Sequence, residues 1–321
     1  MGSMTSYTLL SAAKINLYLE IIGHRPDGFH EMAMVMQSVN LCDRITLTNL
    51  PAAIRRLQCD HPQVPTDNSN LALKAVDLLT YKFPELANRG VDITIEKNIP
   101  VGAGLAGGSS NAAATLVGLN LLWKLGLTQI ELEELSAQLG SDIPFCIRGG
   151  TAIATGRGEI LDPISSLTDL YVVLAKYESL SVSTPWAYKT YRANFSDRYA
   201  DISDNATLQE RQKRVHAGPM VTAITHKDGA AIGSHLHNDL ERVVLPAHDK
   251  VQQLRDYMAS YGGLGTMMSG SGPTVFTLTS TQDAADEILH KVRAALPDPD
   301  LKLWSTCFTA TGIRLESETK N

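Results

Sequence analysis

Hydrophobic residues in the first third of the chain recur with period two. The run Lys14-Ile-Asn-Leu-Tyr-Leu-Glu-Ile-Ile22 sets Ile15, Leu17, Leu19 and Ile21 on one face of an expected strand, with Lys14, Asn16, Tyr18 and Glu20 on the other. Two further strand-like runs, Met32 to Leu41 and Arg44 to Leu50, predict a meander in which the alternating Met32, Met34 and Met36 fill core. The period then lengthens. Asn68-Ser-Asn70 predicts a cap for a helix reaching about Phe83, Val91 to Ile95 alternates as a strand, and Asn111 to Leu125 reads as an apolar helix. Thr128 and Glu131 make a capping-box pattern ahead of Leu132, Leu135 and Leu139, with Gly140 as the expected C-terminal cap. Gly149 to Ala154 reads as another strand.

A break at Asp162-Pro163 predicts two domains, 4–165 and 166–321. Beyond it, Tyr171 to Ala175 starts a strand and Pro185 suits the first turn of a helix. The polar stretch from Asp197 to Lys227 carries few apolar residues; a flap with a helix around Leu208 to Val215 is the expectation there. His237-Asn-Asp-Leu-Glu241 precedes a helix expected to open at Pro246 and close at Gly262-Gly263. A glycine-serine turn, Gly265 to Pro273, leads into a strand from Thr274 to Thr279. A helix near Thr281 to Leu296 and a strand near Leu301 to Phe308 complete an α+β sandwich of roughly ferredoxin-like size.

Composition narrows the class of protein. With 321 residues, 44% of them hydrophobic and 19% charged, the chain can bury a sizeable core. A net charge of −6 without any basic run disfavours a broad nucleic-acid or anionic-membrane surface, yet leaves local anion binding open. Cys42, Cys59, Cys146 and Cys307 are scattered, which favours reduced core thiols over a zinc site or a disulfide framework. No apolar run approaches the ~20 residues of a membrane span, so a cytoplasmic enzyme is expected. Met1 to Ser6 matches a myristoylation pattern but reads more simply as a short added leader ahead of Met4.

The most distinctive stretch is Pro100-Val-Gly-Ala-Gly-Leu-Ala-Gly-Gly-Ser-Ser110. A glycine-rich turn opening onto a helix start concentrates free N–H groups and the positive end of the helix dipole, which suits phosphate oxygens. The alternative is a loop whose glycines serve tight packing alone. Gly102, Gly104 and Gly107 satisfy a dinucleotide fingerprint, but a second helix follows where a Rossmann unit would place a second strand. The spacing of Gly102 and Gly107 also fits a P-loop, yet Gly108 occupies the lysine position. Protein-kinase signatures are missing as well.

Three other features carry candidate chemistry. Lys14 and Asn16, two apart on a strand, either reach one ligand together or share a solvated face. Phe29 and His30, beside the Pro26-Asp27-Gly28 turn, either read a flat heterocycle by stacking and hydrogen bonding or sit incidentally on a hairpin tip. Asp142 lies before Pro144, which is expected to push Ile143 away from helical geometry and fix a short turn. The acid is then a general base or a helix cap.

The Lys14/Asn16 strand, the Pro100 to Ser110 loop and the Gly265 to Pro273 turn, in that order, resemble the three motifs of the GHMP kinase superfamily, named for galactokinase, homoserine, mevalonate and phosphomevalonate kinases. Ala13 to Leu17, Arg25 to Glu31, Val101 to Ala112, Ser141 to Pro144 and His237 to Glu241 are most similar to its branch that phosphorylates a cytidine diphosphate derivative of methylerythritol in the non-mevalonate route to isoprenoid precursors. The likeness covers nearly the whole chain; the polar insert 197–227 departs from it.

That resemblance implies an α+β, two-domain fold, with a ribosomal protein S5 domain 2-like N-terminal domain and a ferredoxin-like C-terminal domain. It implies ATP phosphates on Pro100, Val101, Gly102, Ala103, Gly104, Leu105, Ala106, Gly107, Gly108, Ser109 and Ser110, and catalysis by Lys14 with Asp142. Asn16 and His30 would hold substrate, Phe29 would stack on cytosine, and Tyr188, after Thr184, would be the opposite plate. Ser269, Gly270, Ser271 and Gly272 form the third motif. Mg²⁺ is expected with ATP, and Ser110 is a candidate ligand for it. The implied partner is a small molecule bearing cytidine diphosphate, with no nucleic acid or membrane, acting on a monomer or weak homodimer. Two rival readings stand: a sister kinase acting on homoserine or mevalonate, and a non-catalytic nucleotide-dependent sensor on the same fold.

Overall fold

The structure, a computed structural model, describes residues 5–200, 210 and 215–320. Strand β1 (Thr5–His24) and strand β2 (His30–Leu50) pair antiparallel along their length and form the spine of the molecule. The two expected runs of β2 are one continuous strand, because Asn40 and Leu41 are accommodated at a register shift opposite Ala12/Ala13. Strands β3 (Arg55–Cys59) and β4 (Gly90–Glu96) extend the sheet beyond β2, while β5 (Thr151–Gly156) and β6 (Ile160–Pro163) pair onto its other end.

Helices cover one face of this sheet. Helix α1 (Leu71–Lys82) is capped by Asn70, whose side chain accepts from Ala72 N. Helix α2 (Gly107–Trp123) is apolar nearly all round, since it lies between α1 and the sheet; a Cβ on Gly118 would overlap the Leu47 side chain. Helix α3 (Gln129–Ser136) carries the full Thr128/Glu131 capping box, but it ends at Ser136, so Gly140 is a loop residue and not the expected cap. Helix α4 (Ile143–Arg148) follows.

The second half is built on strands β7 (Tyr171–Tyr177), β9 (Gly265–Met268), β10 (Val275–Thr279) and β11 (Leu301–Cys307), in the antiparallel order β11-β7-β10-β9. That order, first strand beside last and third, is the ferredoxin-like arrangement. Its helices are α5 (Thr184–Phe195), α6 (Pro219–Thr225), α7 (Gly229–Ser234), α8 (Glu241–Ala247), α9 (Asp249–Ser260) and α10 (Gln282–Ala295). Pro246 lies inside α8 and does not open a helix; α9 begins separately after His248, which is not helical (φ −136°, ψ 78°). The helix expected around 208–215 falls almost wholly outside the described residues.

Two segments of the second half return to the first sheet. Strand β8 (His237–Asn238) runs parallel to β1 at Tyr18 and Leu19, and β12 (Ile313–Lys320) pairs antiparallel with the start of β1. The chain therefore crosses the division expected near residue 165 again at its end. Apolar packing also bridges the halves: Leu19, Ile21 and Met36 share a core with Val173, Val251 and Ile288. Among the described residues no helix is long and apolar enough to cross a membrane, and all four cysteines are free thiols.

Candidate active site

A bulge in β1 decides which side chains face the site. Asn16 pairs with Met36 but Tyr18 pairs with Val35, so Leu17 is the extra residue and the alternation inverts past it. Ile15 and Leu17 thus pack with Val172 and Leu174, while Leu19 and Ile21 cross to the other core beside the methionines. The expected single face of Ile15, Leu17, Leu19 and Ile21 is corrected accordingly. Lys14, Asn16 and Leu19 line one cavity.

Neither polar residue sits on a solvated face. Lys14 and Asn16 are 5% and 0% exposed, and the lysine Nζ donates to Asn16 Oδ1 at 2.7 Å. Asn16 Nδ2 meets Met34 Sδ at 3.4 Å, so the amide is held at both ends. Lys14 Nζ also lies 3.7 Å from Asp142 Oδ2.

Asp142 occupies the N-cap position of α4 in helical conformation, φ −84° and ψ −13°, and its carboxylate makes no capping bond. Ile143 begins the helix and Pro144 lies in its first turn, where a missing N–H disturbs nothing. The expected extended turn at Ile143 is therefore absent, and the acid is free to face the cavity.

The glycine loop from Pro100 to Ser110 and the glycine-serine segment around Ser269 to Gly272 are fitted to each other. Gly104 has φ +73°, and a Cβ there would fall 2.3 Å from the Ser269 carbonyl oxygen. Ser269 Oγ donates to Gly104 O at 3.1 Å. A Cβ on Gly270, φ +55°, would stand 3.3 Å from Asn16 Oδ1 and 3.4 Å from Lys14 Nζ. Ala106, left-handed at φ 57°, is the N-cap of α2 and supplies no side-chain cap. The first-turn N–H groups at Gly107, Gly108 and Ser109 are thus left open at the positive end of a 17-residue helix.

Several expected loop residues point away. Leu105, Ser110, Ser269 and Gly272 do not line the cavity, whereas Pro100 to Gly104, Ala106 to Ser109, Gly270 and Ser271 do. Ser110 is fully buried and its Oγ donates to Ala12 O at 2.8 Å. Leu105 is backbone support, accepting from Lys14 N at 3.1 Å.

At the far end of the cavity, the His30 ring stacks on Tyr188 with centroids 5.1 Å apart, and Tyr188 OH donates to Met32 Sδ at 3.1 Å. Burial, assisted by the charges of His24 and Arg192, lowers the His30 pKa to about 4, and its Nε2 is buried with no hydrogen-bond partner. Phe29 is 50% exposed, and the Arg157 guanidinium lies 4.8 Å from its ring centroid. One face of Phe29 is therefore backed by a cation, and Tyr188 has His30 as its ring neighbour. Thr184 Oγ1 and Ser271 Oγ, 2.8 Å apart, tie α5 to the third motif.

Sequence reasoning missed Asp43 and Lys97. The fully buried Asp43 accepts from Asn98 N and Ile99 N at 2.8 Å each, from Asn111 Nδ2 at 2.7 Å, and pairs with the Lys97 ammonium. This carboxylate fastens the segment entering the glycine loop to the helix leaving it. Its one sequence signal is an acid in the gap between two strand-like runs. Together these parts enclose a cavity of about 840 Å³ joining the glycine loop, the Lys14/Asp142 pair and the ring end.

Residues 70–150 match the GHMP kinases N terminal domain and residues 220–298 the GHMP kinases C terminal domain. A 4-diphosphocytidyl-2-C-methyl-D-erythritol kinase of Gloeothece citriformis is 59% identical over 315 residues, 98% of this chain and 99% of its own. The enzyme of that name from Microcystis aeruginosa is 59% identical over 97% of this chain and all of its own. The chain belongs to the 4-diphosphocytidyl-2-C-methyl-D-erythritol kinase family. A crystal structure of 4-(cytidine 5'-diphospho)-2C-methyl-D-erythritol kinase superposes with a TM-score of 0.70 at 28% identity, over 94% of this chain and 98% of that one. Homoserine kinase from Cytophaga hutchinsonii reaches 0.71 at 19% identity, a likeness of fold alone. Membership of this kinase family sets aside the sister-kinase and sensor readings.

Proposed function

We propose that the protein transfers the γ-phosphoryl group of ATP to the 2-hydroxyl of 4-diphosphocytidyl-2-C-methyl-D-erythritol, in the non-mevalonate route to isoprenoid precursors. The observation that carries this reading is the continuity of one cavity from an open helix N-terminus, past the Lys14/Asp142 pair, to Phe29, His30 and Tyr188. A nucleoside triphosphate and a base-bearing acceptor require those two ends.

In the proposed step the acceptor oxygen bonds to the γ-phosphorus as the bond to the β,γ-bridging oxygen breaks, and ADP leaves. Asp142 takes the hydroxyl proton. Lys14, held by Asn16, offsets the negative charge spread over the transferred group. The backbone N–H groups at 107–109 fix the phosphates, and positioning does most of the rest. His30 is neutral near pH 7, so its free Nε2 is suited to a hydrogen bond with a pyrimidine edge while Phe29 supplies a stacking face. Mg²⁺ is proposed to arrive on the nucleotide. Among the described residues no three acidic, histidine or cysteine side chains cluster to cage it, and the buried Ser110 hydroxyl is directed at Ala12 O. No step is therefore assigned to the metal.

A coupled ATP-consumption assay tests the reading. Turnover is expected with the diphosphocytidyl substrate and not with mevalonate or homoserine; comparable turnover on either of those would overturn it.

A further inference from the structure

The segment His237-Asn-Asp-Leu-Glu241 touches neither the proposed phosphate nor base subsite, yet it is tied to both halves of the transfer centre. Asn238, 4% exposed, donates both Nδ2 hydrogens, to Met268 O and to Gly270 O, at 2.8 Å each. Its Oδ1 accepts from Leu240 N at 3.0 Å, so the whole amide is committed. Glu241 Oε1 accepts from Met268 N at 2.8 Å, a second tether on the same turn. On the other side, β8 pairs with Tyr18 and Leu19, and Asp239 Oδ2 accepts from Ile21 N at 2.8 Å.

One short segment thus binds the strand carrying Lys14 and Asn16 to the turn that lies beside them. Gly270 leaves only 3.3 Å to Asn16 Oδ1 and 3.4 Å to Lys14 Nζ from the point where a Cβ would sit. A shift of that turn by a fraction of an ångström changes the space left to the Lys14/Asn16 pair beside it.

We propose that Asn238 is a positioning residue of the transfer centre, acting through the Gly270 turn on Lys14 and Asn16. The inference rests on the reading of Lys14 as catalytic. Asn238 touches no reacting atom; its two donated hydrogen bonds, one to Met268 O and one to Gly270 O, hold the turn beside Lys14 and Asn16.

The test is a double-mutant cycle of Asn238→Ser with Lys14→Met, read by single-turnover rates and by steady-state constants. Asn238→Ser is expected to keep its native circular dichroism and to lower kcat by about 10- to 100-fold, the usual consequence of a sub-ångström misplacement. KM for both substrates should stay within about twofold. In the Lys14→Met background the Asn238 change should cost no further rate, because the group it positions is gone. Multiplicative losses in the double variant, or a near-normal kcat in folded Asn238→Ser, would overturn the proposal. A near-normal rate for Lys14→Met alone would instead remove the underlying reading of Lys14. If Asn238→Ser does not fold, the isosteric Asn238→Asp carries the test. Failure of both to fold would assign Asn238 to maintenance of the fold and overturn the inference.

Discussion

Lys14 Nζ and Asp142 Oδ2 stand 3.7 Å apart. That is close enough for charge to act, but longer than a direct hydrogen bond, and the lysine spends one donor on Asn16 instead. The carboxylate keeps its lone pairs for an incoming hydroxyl. Asp142→Asn is therefore expected to lower kcat by about 10²–10⁴-fold. Because Asp142 makes no capping bond and its carboxylate is a third exposed, loss of its pairing with Lys14 should cost no more than about 1 kcal/mol of stability. Steady-state kinetics beside a thermal melt check both halves; near-normal turnover would remove Asp142 from the base role.

Phe29→Ala separates binding from chemistry. The ring is half exposed and supports little of the core, so its removal should leave the melt unchanged. Loss of one stacking face should raise KM for the cytidine-bearing substrate several-fold more than it lowers kcat, equivalent to about 0.5–1.5 kcal/mol. An unchanged KM would count against ring recognition at this end.

Gly104→Ala should damage the phosphate site from within. The backbone there has φ +73°, and the new methyl would collide with the Ser269 carbonyl. Left-handed strain alone costs about 1–3 kcal/mol, and the collision adds to it. ATP affinity by calorimetry and the denaturation midpoint should fall together; a variant that binds ATP normally would contradict the fitted-turn description.

Asp43→Ala strips four donors of their acceptor, including the Lys97 ammonium. Breaking a buried pair in this way costs about 3–5 kcal/mol. Urea denaturation measures it, and KM for ATP should rise because the segment 97–99 enters the phosphate loop. A loss below ~1 kcal/mol would show that water replaces the carboxylate.

His30 makes stability depend on pH. Its folded pKa is held at about 4 by burial and by His24 and Arg192, below the ordinary value of 6.5. The unfolded chain then binds the proton more readily between those values, so this contribution is intact above pH 6.5 and is lost as pH falls toward 4. His30→Gln should flatten that part of a melting-temperature series. An identical pH slope in both proteins would mean that other groups set it.

Much of this site was legible because its signals are local. The Asn70 cap, the Thr128/Glu131 capping box and the glycine loop before α2 are written in neighbouring residues and formed as read, whereas Gly265–Met268, read as part of a turn, is strand β9 because it pairs with β10. What escaped depends on partners far along the chain. The bulge at Leu17 exists only opposite β2, and it sends Leu19 and Ile21 to a different core than period two dictates. Pro144 was read as a breaker, yet at a helix start its fixed φ is compatible with the first turn. Asp43 looked like a gap between strands because all four of its donors lie at least 54 residues away.

Strand β12 covers the outer edge of β1 from Thr5 to Ser11, just ahead of Lys14 on the same strand. Were β12 displaced, the unpaired N–H and C=O groups of that edge would become a template on which a strand of another molecule could add.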